Sequence, residues 1–345
     1  MISYILQEPN KVVPTEEPKP VPVGSEVLVR VKNVGICGSD IHLFRGTYSA
    51  PHSYPMKFGH EWSGYVEAVG PEVKRLKPGD MVTGDCSRYC GKCPSCGRDR
   101  NLCQHIEKFG ITIDGASAEY FVRDEKYIYK APEGMDERLL TLSEPVAVAA
   151  HLIEKVKRVL PEPLEGLRVL VLGGGVIGMS ALMLLRHMEK CEGAELYDLA
   201  ASRKAIAASE GARIPEASEL EVGEGSGDYA SMYAAAKYDV VLETTGVAPV
   251  FANALNLVKP GGVLGCVGMI AKVEIPQKLI VTKSLTVVGS IGGTGDFDRA
   301  MEFLVRYPDS ARKLNSHVFP MEKVEAAFAT ARVPEGSMKV VLSID

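Results

Sequence analysis

No run of lysine or arginine stands out anywhere in these 345 residues, and the formal net charge is −5 with a pI near 5.9. Nucleic acids and anionic membrane surfaces select for clustered cations, so neither is an expected partner. Long apolar runs are missing as well. Stretches such as Val169–Leu172 have strand length, far short of a bilayer span. The first residues, Met1-Ile2-Ser3-Tyr4-Ile5-Leu6-Gln7-Glu8-Pro9, carry neither the charged start nor the apolar stretch of a secretory signal. Internal repeats and low-complexity tracts are lacking too. What remains is ordinary globular composition, 46% hydrophobic and 24% charged, at a length that suits two domains with separate cores. Eight cysteines, four of them clustered, do not make the disulfide framework of a small secreted chain. They read as metal ligands in a reducing compartment, and the cytoplasm is the expected location.

The cluster is Cys90-Gly-Lys-Cys93-Pro-Ser-Cys96 followed by Cys103. Short C-x₂-C steps let backbone turns fold around one small cation, and four thiolates suit tetrahedral Zn²⁺. A site closed by four protein ligands keeps no position for water or substrate. It can hold a lobe together, so the chemistry must lie elsewhere.

The first part of the chain is rich in Gly, Pro and short alternating runs such as Val27-Leu28-Val29-Arg30-Val31 and Gly64–Gly70, with a turn at Lys77-Pro78-Gly79-Asp80. This predicts a β-rich barrel or roll. The pattern then changes. A helical Ala/Val-rich stretch runs from Glu144 to Leu160, and after it strands and helices alternate: Arg168–Leu172, Gly178–His187, Ala194–Leu199, Ser202–Glu210, Asp239–Glu243, Gly262–Val267 and Thr286–Gly289. That alternation predicts a doubly wound parallel sheet. Helices at Phe297–Arg306 and Met321–Ala331 precede a last strand, Lys339–Ile344, which should return to the first domain's sheet. The expected domains are therefore 1–146 with 292–345, and 147–291.

Gly173-Gly174-Gly175-Val176-Ile177-Gly178 fits G-x-G-x-x-G between a buried strand and an Ala/Leu/Met-rich helix, and Asp198 follows twenty residues after Gly178. Gly173, Gly175 and Gly178 would let backbone approach a pyrophosphate, with Val176 and Ile177 opening the helix beneath it. Asp198 would accept from the adenosine ribose hydroxyls and repel a 2′-phosphate, which favours NAD. Arg203 sits where a cation would meet such a phosphate, though a solvated helix position is the alternative.

Outside the cysteine cluster one constellation fits an open metal site: Cys37 in Gly35-Ile36-Cys37-Gly38-Ser39-Asp40, His60 and Glu61 in Gly59-His60-Glu61-Trp62-Ser63-Gly64, and Glu144 before Pro145. His105, His151 and His187 have no such company, and Cys191 and Cys266 read as core thiols. With these motifs in this order, the chain resembles the zinc-dependent medium-chain alcohol/polyol dehydrogenases from end to end. The resemblance implies a discontinuous, β-rich GroES-like catalytic domain beside a Rossmann coenzyme domain. It makes Cys37 and His60 ligands of a catalytic zinc and points, through Glu144, to the sorbitol-dehydrogenase-like branch. Glu61 would be a ligand that swaps with water or a carboxylate behind the ligands, and Asp40 would orient His60. The family's lobe usually runs C-x₂-C-x₂-C-x₇-C, whereas Cys96 and Cys103 enclose six residues here. Cys86 is thus a possible substitute ligand in that lobe.

The implied reaction is hydride transfer from a zinc-polarised hydroxyl to NAD, with Ser39 and His42 relaying the proton. The segment Phe44–Phe58 joins two ligand motifs and carries Arg45, Tyr48, His52 and Tyr54. Several donors there suit a small polyhydroxylated substrate better than a plain alcohol. Trp62 after Gly-His-Glu also resembles members acting on cyclitols and aminocyclitols, and Arg45 leaves a sugar phosphate open. The alternatives are an L-threonine 3-dehydrogenase type of reaction and a non-catalytic NAD-binding structural or sensor protein. The resemblance further implies a homodimer or homotetramer.

Overall fold

A computed structural model describes residues 1–221, 228, 230 and 233–344. The chain divides within the Ser143–Lys157 helix into two compact units, one of Met1–Ala147 with Gly292–Asp345 and the other of Val148–Ile291.

In the first unit the strands of the main sheet run in the order Ile128–Lys130, Met81–Gly84, Glu61–Val69, Glu26–Ile36, Lys339–Ser343, Asn315–Pro320, and Tyr120–Asp124 also pairs with Glu26–Ile36. Alternation explains the central strand. Val27, Val29 and Val31 face a core they share with Trp62, Val66, Val82, Phe121 and Ile128. Trp62 is wholly buried and meets Phe121 edge to face at 4.8 Å between centroids. The last strand does return to this sheet, antiparallel to the central one with Val340 opposite Ile36.

The second unit is a parallel sheet in the order Ala194–Tyr197, Val169–Leu172, Tyr238–Glu243, Val258–Cys266, Thr286–Gly289. A parallel bridge between Glu195 and Arg213 extends it beyond Ala194–Tyr197, which completes the order of a doubly wound sheet. Val169–Leu172 is buried at every position, as a strand covered on both faces must be. Among the described residues no helix is long and apolar enough to cross a membrane.

Candidate active site

The sheet register of the first unit gathers the polar residues. Gly35 lies opposite Glu61. The end of the central strand, where Cys37 follows, therefore meets the start of its neighbour, where His60 stands. Met81–Gly84 runs antiparallel to that neighbour with Gly64 opposite Val82, and continuing this register sets Cys86 across from His60. The Ser143–Lys157 helix supplies Glu144 from its first turn.

Potential ligand atoms of Cys37, His60 and Glu61 lie within 4.8 Å of one another, and so do those of His60, Cys86 and Glu144. His60, Glu61, Cys86 and Glu144 are buried. His60 Nδ1 and Glu61 Oε1 have no hydrogen-bond partner. Orphaned buried polar atoms of this kind are costly unless something binds them. Nitrogen, sulfur and carboxylate donors in one cluster fit zinc. Burial pushes the Glu144 carboxyl up to about 7 and the Cys86 thiol up to about 11, against the opposing charges of His60 and Lys108.

Asp40 ties the ligand-bearing segments together. Its carboxylate accepts from Cys37 N at 2.9 Å and from Gly59 N at 3.4 Å, and stands 3.8 Å from His60 Nδ1. The last distance allows ion pairing but exceeds a hydrogen bond. Ser39 Oγ lies 3.5 Å from His60 Nε2. His42 is exposed on the Gly38–Arg45 helix with Nδ1 3.0 Å from Thr47 Oγ1. Among the described residues Ser39 and His42 share no hydrogen bond.

Glu61 has a partner that sequence reasoning missed. The fully buried Lys339 ammonium pairs with Glu61 Oε2 and donates to Ile36 O at 3.0 Å. The pair passes over Gly35, where a Cβ would come 2.6 Å from Glu61 Oε2 and 3.3 Å from Lys339 Cδ, so any side chain there would push the pair aside. No local signal marked Lys339, which lies more than two hundred residues away along the chain, though the returning strand that carries it was legible.

Cys86 does not join the other cysteines. Cys90, Cys93, Cys96 and Cys103 converge by themselves, with Sγ separations of 4.0 Å for Cys90–Cys96, 3.5 Å for Cys93–Cys96 and 4.0 Å for Cys93–Cys103. The shorter loop is thus long enough to bring the fourth sulfur in. Backbone N–H groups of Cys90 and His105 donate to Cys103 Sγ at 3.3 Å each. Those of Gln104 and Cys96 bring the Cys93 thiol down to about 6, while burial and the neighbouring sulfurs push Cys96 up to about 12. Such a group ionises fully only around a cation.

Of the expected substrate-side residues, Tyr48 is half-buried and its hydroxyl feels the charges of His60, Cys86, Cys37 and Asp40. Tyr54 donates its hydroxyl to Leu43 O, while Arg45 and His52 are exposed. The donor set offered to a substrate is therefore smaller than the segment's composition suggests. His187 pairs with Glu210 at 2.7 Å and His151 is buried in its helix.

In the second unit Gly173 adopts φ +99°, and a Cβ on Gly178 would come 1.9 Å from Gly173 O, so the strand-to-helix turn demands both glycines. Gly175 precedes the Val176–His187 helix, whose first residues, Val176 and Ile177, are half-buried. Asp198 accepts from Gly174 N at 2.6 Å and Ala200 N at 2.8 Å. Arg203 is not a purely solvated helix residue: its Nη1 lies 3.6 Å from Asp198 Oδ2.

Residues 24–133 match the alcohol dehydrogenase GroES-like domain and residues 138–344 the glucose dehydrogenase C-terminus. A sorbitol dehydrogenase of Halalkalibacterium halodurans is 30% identical across 95% of this chain and 94% of its own length. Galactitol-1-phosphate dehydrogenase of Escherichia coli superposes with a TM-score of 0.86 at 26% identity over the full length of both chains. An Escherichia coli alcohol dehydrogenase solved with NADH gives 0.88 at 26% identity, covering 100% of this chain and 99% of its own. With its cysteine lobe, its clustered N, S and O donors and its glycine turn in this framework, the chain belongs to the zinc-type medium-chain alcohol and polyol dehydrogenases.

Proposed function

We propose that the protein oxidises a secondary hydroxyl of a polyol, sugar or cyclitol-like substrate to the ketone. The hydroxyl's carbon gives a hydride to NAD and its oxygen gives a proton to the protein. The observation that carries this reading is the meeting at buried His60 of two donor groups, one with Cys37 and Glu61 and one with Cys86 and Glu144. Cys37, His60 and Glu144 would hold the catalytic zinc, with Glu61 a ligand that swaps with water or a carboxylate behind them, and Cys90, Cys93, Cys96 and Cys103 would hold the structural one. When bound, zinc supplies Lewis-acid polarisation of the hydroxyl and NAD supplies the hydride acceptor.

The chain's own groups do the rest. Asp40 fixes the Cys37 and Gly59 backbones and so the ligand geometry. Ser39 Oγ, beside His60, would accept the hydroxyl proton as it passes its own on, and exposed His42, which is not hydrogen-bonded to Ser39, would be the group that releases a proton to water. Half-buried Tyr48, whose hydroxyl is close enough to feel His60 and Cys37, would pair with a second hydroxyl, which a plain alcohol lacks. Asp198 takes the adenosine ribose hydroxyls, with Arg203 steadying its carboxylate. The edge strand Thr286–Gly289, largely exposed with Val287 41% accessible, supports a homodimer or homotetramer built through the coenzyme sheet. Eight cysteines with no disulfide among them suit the cytoplasm.

The test is reduction of NAD and NADP, followed by nicotinamide absorbance, against polyols, cyclitols, sugar phosphates, L-threonine and simple alcohols. Activity with NAD confined to polyhydroxylated compounds supports the proposal. Activity confined to threonine overturns it.

A further inference from the structure

The active-site cluster holds one donor more than the family resemblance assigns. Cys86 Sγ, a His60 ring nitrogen and a Glu144 carboxylate oxygen lie within 4.8 Å of one another, and all three side chains are buried. A buried lone cysteine is ordinarily a small apolar residue. The company of Cys86 is different. Its sulfur makes no hydrogen bond among the described residues, and both of its polar neighbours are themselves buried. Extending the register of Met81–Gly84 against Glu61–Val69 sets Cys86 across from His60, each just past the end of its strand.

Charge pairing points the same way. Glu61 already has a cation, the buried Lys339 ammonium. A carboxylate so neutralised is a poor candidate for permanent metal ligation, which leaves Cys37, Cys86 and Glu144 as the anionic donors beside His60 with no ion pair among the described residues. Two thiolates also match a soft, borderline ion better than two carboxylates do.

We propose that Cys86 is a ligand of the metal that His60 holds, giving the catalytic centre a second thiolate beside Cys37. On binding, the Cys86 thiol releases its proton to solvent and its sulfur forms the metal bond. With two thiolates balancing a divalent ion, Glu144 becomes the ligand most readily displaced by a substrate hydroxyl. The inference rests on the zinc reading above.

Cadmium NMR of the cadmium-loaded protein tests it, because the chemical shift moves downfield with each thiolate bound and reports each site separately. The wild type should give two resonances, the four-cysteine lobe furthest downfield. In both Cys86→Ser and Cys37→Ser the second resonance should move upfield or vanish while the lobe resonance stays, which also shows that the variant is folded. A second resonance unmoved in Cys86→Ser overturns the inference. Its absence from the wild type would instead sink the zinc-centre reading itself. Should Cys86→Ser fail to fold, X-ray absorption of the zinc-loaded wild type decides, since about three sulfurs per zinc are expected with Cys86 bound and about two and a half without it.

Discussion

One unit of this chain builds two sets of metal donors on opposite plans. The lobe draws all four sulfurs from the short segment Cys90–Cys103 and packs them in a small satellite core with Tyr89, Phe109 and Tyr127. The active site draws Cys37, His60, Glu61, Cys86 and Glu144 from the ends of separate strands and a helix, with Cys86 part of the unit's main core. The lobe's ligands are all alike and leave no vacancy. The active site's are mixed and more numerous than one tetrahedral ion needs. Local, uniform donors make a staple, while distant, redundant donors make a centre whose coordination can change during a reaction.

The sharpest way to break this comparison is Cys37→Ala. If the centre is the catalytic one, kcat/KM falls on the order of 10⁴-fold, because Lewis-acid stabilisation is worth several kcal/mol. The melting temperature should stay near that of the wild type. Turnover that survives would remove the site assignment.

Cys93→Ser asks the converse question of the lobe. Structural zinc binding is folding free energy, about 10 kcal/mol or more in small isolated domains, and part of that would be lost here. We expect a loss on the order of 5 kcal/mol in stability and a fall in melting temperature of roughly 10–20 °C, with kcat per active site unchanged. A large fall in kcat at full zinc occupancy of the active site would show that the two sets are not independent.

This difference in plan also governs what could be read from the sequence. The lobe was legible because its information is local: three-residue steps between cysteines mean the same thing wherever they occur. The alternating strands, the glycine turn before Val176 and the returning strand at Lys339–Ser343 were legible for the same reason, since periodicity and turn residues act within a few positions. Cys37, His60 and Glu144 were reached through their motifs. Cys86 drew notice only as a neighbour of Cys90, and its true neighbours, His60 and Glu144, depend on strand register. Lys339 was out of reach altogether, because its partner is decided by sheet order across almost the whole chain. The exposed positions of Arg45 and His52 were hidden likewise, since composition shows donors but not where they point.

Lys339→Met tests the active site's redundancy. It strands Glu61 in the core without its cation, which costs about 3–5 kcal/mol where a buried pair is broken. Adding Glu61→Gln should recover much of the loss in a urea titration. Burial alone would pull Lys339 down, but the charge of Glu61 lifts it above the ordinary value. The pair's contribution is therefore full below the unfolded lysine value of about 10.4 and fades as pH rises through the higher folded one. A variant as stable as the wild type at neutral pH would mean that Glu61 takes its charge balance from the metal, not from Lys339.

The smallest effect is expected at Asn101, where the lobe reaches beyond itself. Asn101 is buried between Cys96 and Cys103; its amide donates to Thr294 O at 3.1 Å and its Oδ1 accepts from Thr294 N at 3.1 Å. The segment it holds begins at Gly292, where a Cβ would come 2.2 Å from Asn101 Oδ1. Asn101→Ala leaves the Thr294 N–H and carbonyl buried without these partners, at about 1–3 kcal/mol. Calorimetry should show a modest fall in melting temperature, roughly 2–10 °C, with both kcat and zinc content retained. Because Gly292 is also where the chain returns from the second unit, the retained kcat is the informative half of the result. If kcat falls while both zinc ions stay bound, the lobe does more than staple its own segment, since the ligands themselves are untouched and only the Asn101 amide's contacts, those to Thr294 and Asp99 among them, have gone.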